Sequence, residues 1–424
     1  LQTDGRFIHW IMEVCMQKTS FGRDFLLVVI GQIISLFGNA ILRFALPLYL
    51  LRQTGSPALF GVVTACSFAP MVVLSMAGGV LADRVNKRNI MVGLDFSTAA
   101  IILLFYAALG RLPTVPLFIA VLMLLYGISG TYQPAVQASV PLLVQKEKLI
   151  AGNAVINQVN TLSGLLGPVA GGVLFTLWGI GPILLLSAAC FAFSAVMEIF
   201  IRIPHERRPS EAGVFQVVRQ DLQECCRFVQ SEKPVFVSVV VLVAMFNLVL
   251  SAVMIVGTPI LITQVLGMSD TLYGLTQGAL ALGGLCGGAL AAACGDKLRV
   301  QKAHLLLLAC SAAVAVMGLS LWLRLPPLVS YAAITLMSFA AMGASTLFMV
   351  QIYTLVQVQT PPQLVGKVMA ALISIAMCGQ PVGQALYGLL FGLFAPYPYL
   401  VLLGAAGAAL CISLCSRRVF GRLA

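Results

Sequence analysis

The sequence predicts an all-α membrane protein: twelve transmembrane helices in two bundles of six. Of 424 residues, 60% are hydrophobic and only 9% charged, where a soluble domain carries roughly a quarter charged residues. Twelve windows of about 20 mostly apolar residues, each long enough to cross the hydrocarbon core, follow one another with short polar punctuation. One longer polar stretch, residues 203–234, stands between the sixth window and the seventh. Water cannot be the main solvent of such a chain.

In order, the windows are 25–51, 58–81, 89–109, 115–133, 153–178, 182–202, 235–262, 272–294, 304–323, 328–352, 366–392 and 399–416. The expected organisation is an N-terminal segment (1–24), a first bundle (25–202), a central loop (203–234), a second bundle (235–416) and a tail (417–424). Within the central loop, "VFQVVRQDLQECCRFV" (214–229) spaces its apolar residues as an amphipathic helix lying along the membrane surface would. The chain opens without Met, so Met12 or Met16 is expected to start it, and the first span serves as its own insertion signal. A faint internal repeat accompanies the two halves: "VQASVPLLVQKEKLIAGNAV" (136–155) lies over "VQIYTLVQVQTPPQLVGKVM" (350–369), an offset near 214 residues. Gln137 then falls on Gln351, and Gly167-Pro168 falls near Gln380-Pro381.

Charge placement sets the expected orientation. With both termini cytoplasmic, the cytoplasmic segments hold 21 of the 25 Lys and Arg residues. The other side holds Arg52, Arg111 and Arg324, and Arg43 lies inside the first span. That asymmetry obeys the positive-inside rule. The net charge of +11 therefore reads as topology and contact with anionic lipid headgroups, with no nucleic acid partner. The eleven cysteines show no CxxC and no metal-like spacing, Cys225-Cys226 and Cys411 with Cys415 included, and are expected to be reduced packing residues. No HExxH, GxSxG or GxxxxGK[ST] is present, and His9, His205 and His304 are isolated. Enzyme chemistry and ATP-driven pumping both lack their residues, and no metal or cofactor is expected.

Scarce charges gather between the second and third windows, in "GGVLADRVNKRN" (78–89). Gly79 allows close helix approach, Asp83 can face the positive N-terminal end of a neighbouring helix, and Arg84, Lys87 and Arg88 can hold lipid phosphates or carboxylates. The pattern Gly79-x3-Asp83-Arg84-x-Asn86-Lys87-Arg88 resembles the loop signature of the major facilitator superfamily. It departs from it at Asn86, where glycine is usual, and Asn tolerates a left-handed backbone better than other side-chain-bearing residues. The alternative reading of this loop is an ordinary positive-inside turn. The second half carries a weaker echo at Asp296 and Lys297. The resemblance implies a conformational latch that closes the cytoplasmic side against the eleventh span, starting near Gly366, whenever the cavity opens outward.

The fifth span holds "SGLLGPVAGG", in which Gly167, Pro168, Gly171 and Gly172 leave a thin, kinkable surface. It resembles the core of the G-P-x2-G-G segment of the superfamily's antiporters, which implies export against protons. Gly283, Gly284, Gly287 and Gly288 in the eighth span form a second small-residue surface, read as packing. Arg43 is an intramembrane charge that can neutralise an anionic substrate, couple to an acid, pair structurally or snorkel to the interface. Asp95 and Glu198 are the intramembrane acids, Asp95 being near enough to Arg84 and Arg88 to belong to the latch instead. Many drug exporters of the superfamily carry an acid where this chain has Gly38. Asn153, Asn157 and Asn160 form a polar stripe, Asn247, Gln277, Gln380 and Gln384 can add hydrogen bonds, and Tyr126, Phe246 and Phe348 offer adaptable apolar walls.

The runs "GNAILRFALPLYLLRQTGSPALFGVV", "YQPAVQASVPLLV" and "LLGPVAGG" resemble the bacterial drug:proton antiporter group that includes macrolide efflux proteins and the enterobactin exporter, from about residue 22 to 416. The resemblance implies a monomeric secondary exporter of the bacterial cytoplasmic membrane, with protons, lipids and a small amphiphilic substrate as its partners. Siderophore or lysophospholipid transport is the alternative within that fold, and a non-transporting sensor is the alternative outside it.

Overall fold

The structure, a computed structural model, describes residues 21–145, 148–203, 235–294, 300–361 and 364–421. It consists of twelve membrane-length helical elements: α1 (Arg23–Thr54), α2 (Pro57–Arg84), α3 (Lys87–Ala108), α4 (Thr114–Leu143), α5 (Leu149–Trp178), α6 (Ile180–Ile199), α7 (Val235–Val265), α8 (Asp270–Cys294), α9 (Ala303–Trp322), α10 (Pro327–Gln359), α11 (Val365–Leu393) and α12 (Pro398–Gly421). Twelve crossings leave the start of α1 and the end of α12 on one face of the membrane, the terminal face. The expected amphipathic helix at 214–229 and the echo at Asp296 and Lys297 lie outside the described residues.

Local chemistry explains the element ends. α1 stops at Gly55, whose φ of +61° lets its N–H reach back to the Leu51 carbonyl, and α2 restarts at Pro57, a residue suited to a first helical position. Gly179, at φ +68°, forms the whole joint between α5 and α6. Asn86 has φ −59° and caps α3 by accepting the Arg88 N–H at 3.0 Å. The expectation that Asn86 stands in for glycine by tolerating a left-handed turn is therefore corrected: the position needs an N-cap, and both Asn and Gly serve there. α4 continues ten residues beyond its expected end at 133, through Pro134 and Pro141, and α10 runs on to Gln359. α7 is interrupted by π-helical turns at Asn247–Ser251 and Ile260–Val265, the second directly after Pro259.

The packing repeats with a period of six helices. α2 packs on α4 and α3 on α6; in the second bundle α8 packs on α10 and α9 on α12. Between the bundles, α5 lies against α8 and α11 against α2, which are the same contact made twice if the halves are equivalent. Two cores fill the first bundle, one around Leu42, Phe105, Phe118 and Leu184 and one around Phe25, Met91 and Val136. The large core of the second bundle reaches across to Phe44, Leu48, Leu51 and Phe60 of α1 and α2, so the halves share one apolar core near the face opposite the termini.

Candidate functional site

A cavity of about 580 Å³ lies between the bundles at mid-membrane depth. α1 contributes Leu36, Asn39, Arg43 and Phe44, α4 contributes Tyr126, Ser129 and Gln133, and α5 contributes Asn160 and Ser163. The other bundle supplies Ile255, Tyr273, Gln277, Gln380 and Gln384. The volume falls within the range of small-molecule sites. A further chamber of about 320 Å³ opens within the second bundle among Phe246, Leu250, Met254, Leu280 and Met342, and it shares Ile255, Gln277 and Gln380 with the central cavity. The central cavity thus has polar groups from both bundles, and the chamber that opens from it within the second bundle is largely apolar.

Arg43 is the charged group of this cavity. Its guanidinium sits over the Tyr126 ring, 4.2 Å from the centroid, and Nη2 points at the Met71 sulfur at 3.7 Å. Its Nε is buried and has no hydrogen-bond partner. A cation held by an aromatic face rather than a carboxylate keeps its charge available to a ligand. Gln384 likewise presents a buried carbonyl oxygen with no partner.

Opposite the termini the cavity is shut by a seam of small residues. A Cβ placed on Gly61 of α2 would lie 2.7 Å from the Gly388 Cα of α11, and one placed on Gly172 of α5 would lie 3.1 Å from the Gly274 Cα of α8. Only glycine admits backbones this close. Above the seam Phe44 stacks on Tyr273 with centroids 4.8 Å apart, and Thr271 donates to Thr176 at 3.0 Å. At the rim Arg52 grips Asp270 with Nη2 at 2.6 Å and Nε at 3.1 Å from the same carboxylate oxygen. Nearer the terminal face the contact loosens: a Cβ on Gly164, which lines the cavity, or on Gly288 would meet nothing within 4 Å.

The four residues of the α5 motif divide between two neighbours. Gly167 and Gly171 face α1, against Ala40 and Phe44, whereas Gly172 and the Pro168 carbonyl face Gly274 of α8. Of the α8 glycines, Gly283 and Gly287 receive the α10 backbone at Phe339 and Gly343, as packing residues do. Asn160 and Gln380 join Arg43 in the cavity. Asn153 and Asn157 are exposed nearer the terminal face, the Asn153 amide donating to the Leu149 carbonyl at 3.0 Å. Asn247 ties the first π-turn of α7 to α11, donating to the Ala376 carbonyl at 3.2 Å. Phe348 is fully buried against Phe246 instead of lining the cavity. Gly79, Asp83 and Arg84 occupy the last turns of α2, and their side chains lie outside the described residues, as does that of Gly366; Lys87 and Arg88 open α3. Gly38 packs against Cys190, which a Cβ would approach to 3.2 Å, so a side chain at this position requires the neighbour to give by a few tenths of an ångström.

Asp95 does not reach the central cavity. It lines a small pocket of about 30 Å³ with Ser35, Asn39, Thr98, Ser129, Tyr132 and Gln133. Beside it, Gln32 donates to the Tyr132 hydroxyl and Tyr132 donates to Glu198 Oε1, each at 2.7 Å. Tyr132, Gln32 and the rim pair Arg52–Asp270 are functional candidates the sequence pattern did not single out. The partners stand 66, 100 and 218 positions apart, so only the fold brings them together.

The helical repeat and the cavity between its halves have a counterpart among known proteins, since the family model of the Major Facilitator Superfamily matches residues 28–384. The chain belongs to the major facilitator superfamily. Similar superfamily members include macrolide efflux protein A of Streptococcus pyogenes, 28% identical over 85% of this chain and 87% of the relative. Enterobactin exporter EntS of Citrobacter koseri is 25% identical over 91% of this chain and 89% of the relative. Among solved structures, the nucleoside transporter NupG superposes with a TM-score of 0.75 at 12% identity, covering 94% of this chain and 100% of that one. A bacterial homologue of the iron transporter ferroportin, in its inward-facing state, gives 0.72 at 16% identity, over 94% and 100%. These structural likenesses concern the fold.

Proposed function

We propose that the protein is a secondary exporter that moves amphiphilic small molecules, macrolide-like drugs foremost, out of the bacterial cytoplasm in exchange for protons. The observation that carries this reading is the cavity itself, walled by both bundles at mid-depth, sealed at one face and loosened toward the other. With the terminal face cytoplasmic, as the distribution of Lys and Arg demands, this is the inward-facing half of an alternating-access cycle. A monomer suffices, since one chain supplies both walls. Substrate enters from the cytoplasm or inner leaflet, its apolar part facing the Met254 and Met342 chamber, whose methionines adapt to varied shapes. Rocking about the α2–α11 and α5–α8 seams then closes the cytoplasmic side, where the Gly79–Arg88 loop acts as the latch. The relatives named for macrolide efflux and enterobactin export support the amphiphile class.

The test is accumulation of a labelled macrolide in efflux-deficient bacteria expressing this chain, with and without a protonophore. Lower accumulation that the protonophore abolishes is the expected result. Unchanged accumulation, with the protein shown to be in the membrane, overturns the macrolide assignment. A second reading, an anionic amphiphile such as a siderophore or lysophospholipid, is favoured by Arg43, a cavity cation stacked on Tyr126 with an unpartnered Nε.

A further inference from the structure

We propose that Asp95 and Glu198, gathered around Tyr132, hold a single proton between them, and that this buried cluster is the proton-carrying site of the exporter. The inference rests on the proton-coupled reading above and names its residues. Four helices of one bundle build the site: Gln32 and Ser35 from α1, Asp95 from α3, Tyr132 from α4, Ser194 and Glu198 from α6.

A donor count shows where a proton is missing. Tyr132 spends its one proton on Glu198 Oε1 while accepting from Gln32. Ser194 donates to the Gly31 carbonyl at 3.1 Å and lies against Asp95. Asp95 Oδ2 and Glu198 Oε2 are both buried with no partner. The groups facing the pair are neutral or acidic on every side: Gln32 and Ser35 on α1, Thr98 on α3, Tyr132 on α4 and Ser194 on α6. Among the described residues no Lys, Arg or His enters the cluster. Two carboxylates without a cation in such a place repel one another, and one shared proton relieves them until the pocket opens to a base.

A route joins this site to the central cavity. The 30 Å³ pocket that touches Asp95 and Tyr132 is large enough for a water and shares Leu36, Asn39, Ser129 and Gln133 with the large cavity. Asn39 donates to Ser129 at 3.3 Å across that shared wall. The proton leaves a carboxyl oxygen for the pocket water, leaving two carboxylates behind, and returns by the same atoms when the cavity has opened to the other side. Coupling follows from α1, because Gln32 and Ser35 touch the Tyr132 hydroxyl beside the pair while Asn39 and Arg43, at helical spacing on the same element, line the cavity. A substrate that moves α1 changes the proton's surroundings, and by linkage the proton changes the substrate's affinity.

Infrared difference spectroscopy of the purified protein in lipid nanodiscs tests this without a substrate. The expected result is a protonated-carboxyl band at neutral pH that shifts promptly in D₂O, because the pocket reaches the cavity. Asp95→Asn and Glu198→Gln should each displace that band or reduce its amplitude. A wild-type protein with no such band, or with a band that D₂O leaves unshifted, overturns the proposal even if neither variant folds. Macrolide export in cells separates this claim from the broader one. If wild-type export is protonophore-sensitive and export by the double variant Asp95→Asn with Glu198→Gln is equally so, the shared-proton site is wrong and proton-driven export stands. If wild-type export ignores the protonophore, both are wrong.

Discussion

Among the described residues Arg43 rests on an aromatic face and a thioether, and neither neutralises it. A charged hydrogen bond to a ligand anion is worth about 1.5–3 kcal/mol, so Arg43→Gln is expected to weaken binding of an anionic amphiphile such as lysophosphatidylglycerol roughly tenfold or more. Arg43→Lys should restore part of the affinity, and a neutral amphiphile should be indifferent to either change; calorimetry on the purified protein checks all three. Arg43 was legible in the sequence as an intramembrane charge, but its stacking on Tyr126 was not, because the two residues stand 83 positions apart on different helices. The α5 asparagine stripe shows the same limit. Helical spacing puts Asn153, Asn157 and Asn160 on neighbouring faces, yet periodicity says nothing of depth, and of the three Asn160 alone lines the cavity.

At the scale of elements, hydropathy windows located each helix and underestimated several of them. They see only the lipid-facing length, so the extensions of α4 through Pro134 and Pro141 and of α10 to Gln359 were invisible. The π-turns of α7 were equally hidden, since the residues of Asn247–Ser251 and Ile260–Val265 read as ordinary apolar helix. The α3 cap yields an element-scale prediction. Asn86→Ala removes the acceptor of the Arg88 N–H and should cost about 1 kcal/mol, while Asn86→Gly should cost only a few tenths. Thermal unfolding of the two variants in detergent measures the difference. Equal melting temperatures would mean that the cap does not hold this turn.

Over the whole molecule, the contacts that shut the cavity come in two matching sets, α2 with α11 and α5 with α8, each built on a glycine pair. The faint 214-residue offset pointed to such halves, and the α5 motif pointed to a tight contact. What the sequence could not say is that Gly172 meets Gly274, or that Arg52 meets Asp270, because a seam between bundles is a property of the assembled fold. Alternating access requires that seam to part in every cycle. Ala58 and Gly392 lie across it, and a Cβ on Gly392 would stand 3.6 Å from that of Ala58, within the span a disulfide bridges. The direct measurement is export by the double variant Ala58→Cys with Gly392→Cys, in a background lacking the exposed native cysteines, before oxidation, after it and after reduction. Oxidation should stop export and reduction should restore it; full export from a protein shown to be cross-linked would contradict a mechanism in which these halves separate.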